Sequence, residues 1–192
     1  MLISAAEVLR ERGAAGVTID EVLTRSGAPR GSVYHHFPEG RIQILIEALH
    51  YAGEEITEVI DEAAARGGMF LVRKFVRFWE ELLVESDFAA GCPVVAAAIG
   101  STDEEPALTT VAGNIIRHWR DALTRAFVAD GFEDADAASL AIMCIASLEG
   151  AVVLCRSTRS VDSLREVACQ IEFLIKSREF VRLYGLPTAN RG

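Results

Sequence analysis

The chain has 192 residues, 51% of them apolar, and a formal net charge of −9 at neutral pH. That length holds one large domain or two small ones, and that apolar share builds a sizeable core and excludes a disordered polyelectrolyte. Gly (15) and Pro (5) are too few for a fibrous or linker-rich protein.

Cysteine stands at positions 92, 144, 155 and 169. No two have CxxC spacing and the His residues lie far from them in sequence, so no metal or cofactor site is indicated. Free thiols point to a reducing compartment. The opening LISAAEVLRERG is amphipathic and charged by Glu7, unlike a secretory leader, and the expectation is a cytoplasmic protein. Residues 1–50 carry a net −1 and the remainder −8. Only the N-terminal quarter is spared a strongly like-charged background toward a polyanion.

In chain order, nearly every segment has a helical period. Leu2, Ala5, Ala6 and Leu9 form the first stripe, which Gly13 can close in the left-handed conformation. Thr18-Ile-Asp-Glu21 fits a reciprocal capping box and starts a short helix to about Arg25. Ser26-Gly27-Ala28 is a turn, and Pro29 suits the first position of a third helix that buries Val33 and Phe37 and stops near Pro38. One long helix spans Glu39 to Arg66, about 40 Å at 1.5 Å per residue. Further helices are expected around 70–83, after Gly91-Cys92-Pro93, from Pro106 to about Phe127, over 134–156 and over 161–183. No segment alternates with period two for long enough to argue a strand. The fold class is therefore all-α with about nine helices: an N-terminal three-helix unit, 1–45, and a larger bundle, 46–192, divided within the long helix. Helix 134–156 approaches the length of a membrane span, but Glu149, Gly150 and two Ser interrupt it, and a buried helix is the expectation.

Two short helices joined by a Gly-containing turn at residue 27, after a first helix, match a helix-turn-helix. With Val33 and Phe37 inward, the outer face presents Arg30, Ser32, Tyr34 and His35. Arg can bond guanine in a bidentate way, and Ser, Tyr and His can donate to phosphates. Gly31 costs helix stability and suits a close approach by another molecule. Thr18 can offer its amide to a phosphate, and Arg41 its side chain. Three-helix units with a Gly turn also occur in proteins that never touch DNA.

The run SGAPRGSVYHHFPEGR resembles the recognition-helix signature of the TetR family of bacterial repressors, with Thr18, Gly27, Gly31, Tyr34, His36 and Phe37 on the pattern. The likeness covers roughly residues 2–50. It departs where Gly40 stands in place of the usual Lys, the basic residue being Arg41. It departs again at the start, where no polar arm precedes the first helix. FPEGR, with GCPV later, resembles the multidrug-resistance-repressor branch. The resemblance implies base-edge or nearby contacts from Arg30, Gly31 and Ser32. It implies phosphate contacts from Thr18, Tyr34, His35, His36 and Arg41, although His36 could equally sit half-buried beside Phe37.

The resemblance also implies a ligand cavity and a dimer. Eight of 14 aromatic residues lie between 70 and 132, and small side chains follow Cys92. Such a mixture suits either plain core or a pocket with a few polar groups. The pocket candidates are Phe75, Trp79, Trp119, Met143, Ser147 and Glu149. Glu149, in an apolar helix, can meet a polar or cationic ligand, face solvent, or pair with an Arg across an interface. Helix 134–156 is apolar nearly all round. Together with the last helix it suits a four-helix interface between two subunits. The function indicated is a ligand-responsive repressor that leaves a palindromic, double-stranded DNA operator when a small apolar or aromatic effector binds. The alternatives are a helical protein-interaction module and an all-α enzyme, for which no catalytic constellation is present.

Overall fold

The computed structural model describes residues 1–100 and 106–185. Among them run nine helices: α1 Leu2–Gly16, α2 Ile19–Ser26, α3 Arg30–His36, α4 Arg41–Ala64, α5 Gly68–Glu85, α6 Pro93–Gly100, α7 Pro106–Ala129, α8 Asp134–Thr158 and α9 Asp162–Tyr184. The all-α expectation holds.

Three local details differ from the sequence expectation. Gly13 breaks α1 at φ 69°, ψ −173° rather than in the left-handed helical well, and a last turn follows it. Only glycine occupies that region without strain. The box at the start of α2 is half-formed. Thr18 Oγ1 accepts from the Glu21 amide at 3.1 Å, but the Thr18 amide bonds Gly16 O at 3.0 Å. The Glu21 carboxylate turns to Arg25 Nε at 2.9 Å and Arg12 at 3.2 Å, because two guanidinium groups within reach outbid one amide. Pro29 precedes α3 as its cap, with ψ 140°, instead of opening it. Gly27 adopts the expected left-handed turn at φ 67°, and its amide bonds Leu23 O at 2.9 Å.

One apolar cluster runs without interruption from Ala5 to Ile175. The reason is α4, which packs on α1 and α6 and also on α5 and α7. A chain divided by a flexible linker would have two such clusters. At the far side α8 lies between α7 and α9. Its inner face carries Leu140, Cys144, Leu148 and Val152, all buried. It is long and apolar enough to cross a membrane, the only such helix among the described residues. Its packing against α7 and α9 makes it a core helix of this bundle.

Candidate nucleic-acid interface and effector cavity

α3 is seven residues long, too short to be stable alone, so tertiary contacts must hold it. Val33 and Phe37 supply them, both buried in the cluster. Phe37→Ala is expected to cost about 3–4 kcal/mol, read as a fall of roughly 6–16 °C in melting temperature. With the back anchored, the front is open. Arg30, Gly31, Tyr34, His35 and His36 are all exposed, and the two imidazoles meet edge to face at 5.1 Å. His36 is therefore not the half-buried neighbour of Phe37. Nothing within 4 Å would meet a side chain added at Gly31. No group among the described residues requires glycine there.

The remaining residues expected at this interface are partly committed elsewhere. The Ser32 hydroxyl donates to Pro29 O at 2.7 Å. Thr18 is engaged as described, so the outward amides at the start of α2 are those of Ile19 and Asp20. Arg41 departs furthest from expectation. Its guanidinium donates to Val17 O at 2.8 Å and Ala14 O at 2.7 Å. A half-buried cation bonded to carbonyls at the end of α1 ties that helix to α4. Arg25 is likewise spent, bidentate on Glu11 at 3.0 and 2.6 Å, and this pairing holds the Glu11 carboxyl below its ordinary range. Arg30 remains available. It rests on Asp20 at 2.9 Å, with both side chains more than 70% exposed, a pair that water dissolves at little cost.

A second site lies inside the bundle. An apolar cavity of about 20 Å³, room for one water, is walled by Ile60 of α4, Phe75 and its neighbours of α5, Trp119 and Leu123 of α7, and Cys144, Leu148 and Glu149 of α8. Phe75, Trp119 and Glu149 thus meet as expected. Trp79 does not line the cavity. It is fully buried one turn further along, edge-on to Phe75 at 6.1 Å and Phe78 at 5.4 Å. Met143 and Ser147 are corrected more sharply. They line an open groove between α8 and α9 on the outer surface, where Ser147 Oγ points to Met143 Sδ at 3.5 Å. Residues 143 and 149 are six apart, and at 100° per residue they fall on different faces.

Glu149 is the one buried charged residue among those described, 8% exposed. Neither of its carboxylate oxygens has an N–H or O–H donor among the described residues. Burial pushes its pKa up to about 7, with the neighbouring Cys92 thiol acting weakly the other way. The Cys92 thiol is itself pushed up, first by burial and then by Glu149, and is inert as a nucleophile. A solvent-facing role is ruled out for Glu149, and no Arg among the described residues reaches it.

Cys92 begins the joint between the two sites. The Gly91 amide bonds Arg10 O of α1 at 3.0 Å. Arg156, two turns beyond Glu149 on α8, donates to Glu11 O of α1 at 2.9 Å and Ala89 O at 2.8 Å. A side chain at Gly91 would meet the Arg156 guanidinium at 2.5 Å, so any larger residue there must shift the Arg156 side chain from its bonds to Glu11 O and Ala89 O. No periodicity announced this joint, because its partners are 67 and 145 residues apart in sequence.

Comparison with known proteins decides the family. The model for the bacterial regulatory proteins of the tetR family matches residues 2–48. That for the C-terminal domain of LmrA/YxaF-like transcriptional regulators matches residues 69–170. The chain belongs to the TetR family of transcriptional regulators. Within it, an uncharacterized HTH-type transcriptional regulator of Mycobacterium tuberculosis strain H37Rv is 39% identical over 91% of this chain and 92% of its own. The HTH-type transcriptional regulator LmrA of Bacillus subtilis is 25% identical over 92% and 95%. Among solved structures, the regulatory protein TetR from Rhodobacter sphaeroides superposes with a TM-score of 0.78 at 23% identity, covering 88% of this chain and 94% of that one. A TetR regulator from Chloroflexus aurantiacus gives 0.74 at 26% identity over 91% of each. This TetR-family regulator is accordingly a DNA-binding protein, and α2 and α3 are its helix-turn-helix.

Proposed function

We propose that this TetR-family regulator sits on a palindromic operator as a homodimer, represses transcription there, and leaves when a small apolar or aromatic molecule enters the bundle. Residues 1–45 read DNA, and 46–192 sense the effector and dimerise. Arg30, Tyr34 and the His35–His36 pair face the duplex, with Gly31 admitting its backbone. The observation that carries ligand control is the joint at Gly91 and Arg156. The cavity wall and the hydrogen bonds that seat α1 share helix α8, through Glu149 in the wall and Arg156 on Glu11 O. A guest larger than one water must push the wall apart, and a displacement of α8 is felt at α1. DNA affinity then falls as far as the guest distinguishes the two seatings.

The test is fluorescence anisotropy on the DNA upstream of the regulator's own gene. Because Arg25 and Arg41 are occupied inside the unit, few cations per subunit reach phosphate. A dimer using Arg30 and the half-exposed Arg12 from each subunit gives a slope of about −3 to −4 in log affinity against log salt. Arg30→Ala is expected to weaken binding by at least about tenfold, since each lost base or phosphate contact costs roughly 1–3 kcal/mol and the dimer loses two. Unchanged affinity in Arg30→Ala, or an aromatic compound that raises the melting temperature yet leaves DNA bound, contradicts the proposal.

A further inference from the structure

We propose that the effector couples an apolar body to a cationic hydrogen-bond donor, a protonated amine in the simplest case, and that Glu149 is the group that receives it. This rests on the inner cavity being the effector site and adds the chemical class of its occupant.

Glu149 is more than nine-tenths buried, lines the cavity, and neither oxygen has an N–H or O–H donor among the described residues, only the nearby Cys92 thiol. Such a group is expensive to keep, because desolvating a carboxyl without a partner is unfavourable in either protonation state. The protein offers no remedy. The Trp119 indole N–H already donates to Thr57 Oγ1 at 2.9 Å. The residues facing the cavity from α4, α5 and α7 carry no charge, and the neighbouring Cys92 thiol, which burial keeps protonated, can give the carboxylate only a weak S–H bond. A strong donor must therefore come from a guest. An ammonium satisfies both oxygens and neutralises the charge, and Phe75 and Trp119 in the same wall present ring surface suited to a cation. An anion meets repulsion. A neutral hydrocarbon leaves the oxygens as orphaned as before. Because burial raises the carboxyl to a pKa of about 7, protonated and ionised forms coexist near that pH, and an incoming ammonium draws the remainder to the ionised form as it binds. The cavity of about 20 Å³ is too small for any organic amine at rest. Occupancy therefore requires the wall to open, which ties charge recognition to the movement at Gly91 and Arg156.

The experiment compares isosteric pairs by calorimetry and thermal shift at pH 7.5: tryptamine against tryptophol, and phenethylamine against 2-phenylethanol. The expected result is that each amine binds at least about tenfold more tightly than its alcohol, a difference of about 1.4 kcal/mol. That preference collapses to about twofold or less in Glu149→Gln, whose helicity is checked by circular dichroism, and in Glu149→Leu as a second variant. Equal or tighter binding of the alcohols overturns the inference, as does a preference that survives in both variants, or no binding of either amine. If the alcohols bind and release DNA as well as the amines, the cation requirement falls while ligand control stands. Glu149-dependent amine binding that leaves DNA occupancy unchanged supports the cation requirement and removes ligand control.

Discussion

Replacing Glu149 by leucine is expected to raise the melting temperature by roughly 6–12 °C at pH 8, and by much less at pH 5. The folded protein holds this carboxyl at a pKa of about 7, against an ordinary value of 4.5. The folded state therefore binds more protons than the unfolded chain between those two values. Stability must fall as pH rises through that window, and the loss is complete above it. A shift of that size corresponds to about 3 kcal/mol, an upper figure because water entering the cavity would relieve part of it. For a protein of this length each kcal/mol moves the midpoint by about 2–4 °C. Below pH 5 the folded carboxyl is neutral and most of the penalty vanishes in the wild type, so the leucine variant gains little there. Glu149→Gln should show the same pH-dependence with a smaller gain, since an amide in that cavity still lacks partners. The measurement is a pair of thermal melts at fixed protein concentration, one at each pH. An equal gain at both pH values would mean that ionisation of Glu149 is not what strains the native state.

The helices were legible because their signal is local. Val33 and Phe37 sit four apart and are both buried, as period 3.6 demands of a helix with one inward face. Pro and Gly marked most of the boundaries by removing or freeing a backbone degree of freedom. The ends of α2 and α3 moved by one residue, which is where capping side chains compete. At α2, Glu21 had two arginines to choose over one amide. Sequence names such a competition but does not rank it.

The candidate sites were legible in type and less so in partner. Arg30 and Arg41 are equivalent on paper, yet one lies open on Asp20 and the other is consumed by the carbonyls of Ala14 and Val17. The difference is set by how α1 ends against α4, a contact between residues 24 and 27 apart in sequence. Periodicity also fails on a helix that is apolar on every side. In α8 no polar stripe says which residues turn inward, so Met143 and Ser147 were grouped with Glu149 although they face the outer groove. Glu149 was legible as an anomaly, and only the absence of any N–H or O–H donor among the described residues around it separates a ligand contact from an ion pair.

The double variant Leu154→Glu with Phe173→Glu is expected to abolish the dimer and to lower operator affinity by about 10²–10⁴-fold. Both residues line the outer groove between α8 and α9, at 52% and 69% exposure, and Ile142 and Val153 of α8 are similarly open. Contiguous apolar surface of this kind on two adjacent helices is what a four-helix interface buries. Ala146 and Gly150, one turn apart in the same groove, leave room for two α8 helices to approach closely in the proposed dimer. Two new carboxylates per subunit meet their symmetry mates across a two-fold axis, and like charges in a desolvated interface cost several kcal/mol. The fold should survive, because neither side chain belongs to the buried cluster. Circular dichroism should be unchanged while sedimentation gives 20.8 kDa instead of twice that mass. The DNA effect follows from effective concentration. In the dimer, the second recognition helix is delivered to its half-site at an effective concentration on the order of millimolar. A monomer must bind each half-site alone, with Arg30 and a few neighbours as its whole contact set. A variant that stays dimeric moves the interface elsewhere on the bundle. A monomer that keeps full affinity would mean that one α3 suffices, and the palindromic operator would have to be abandoned.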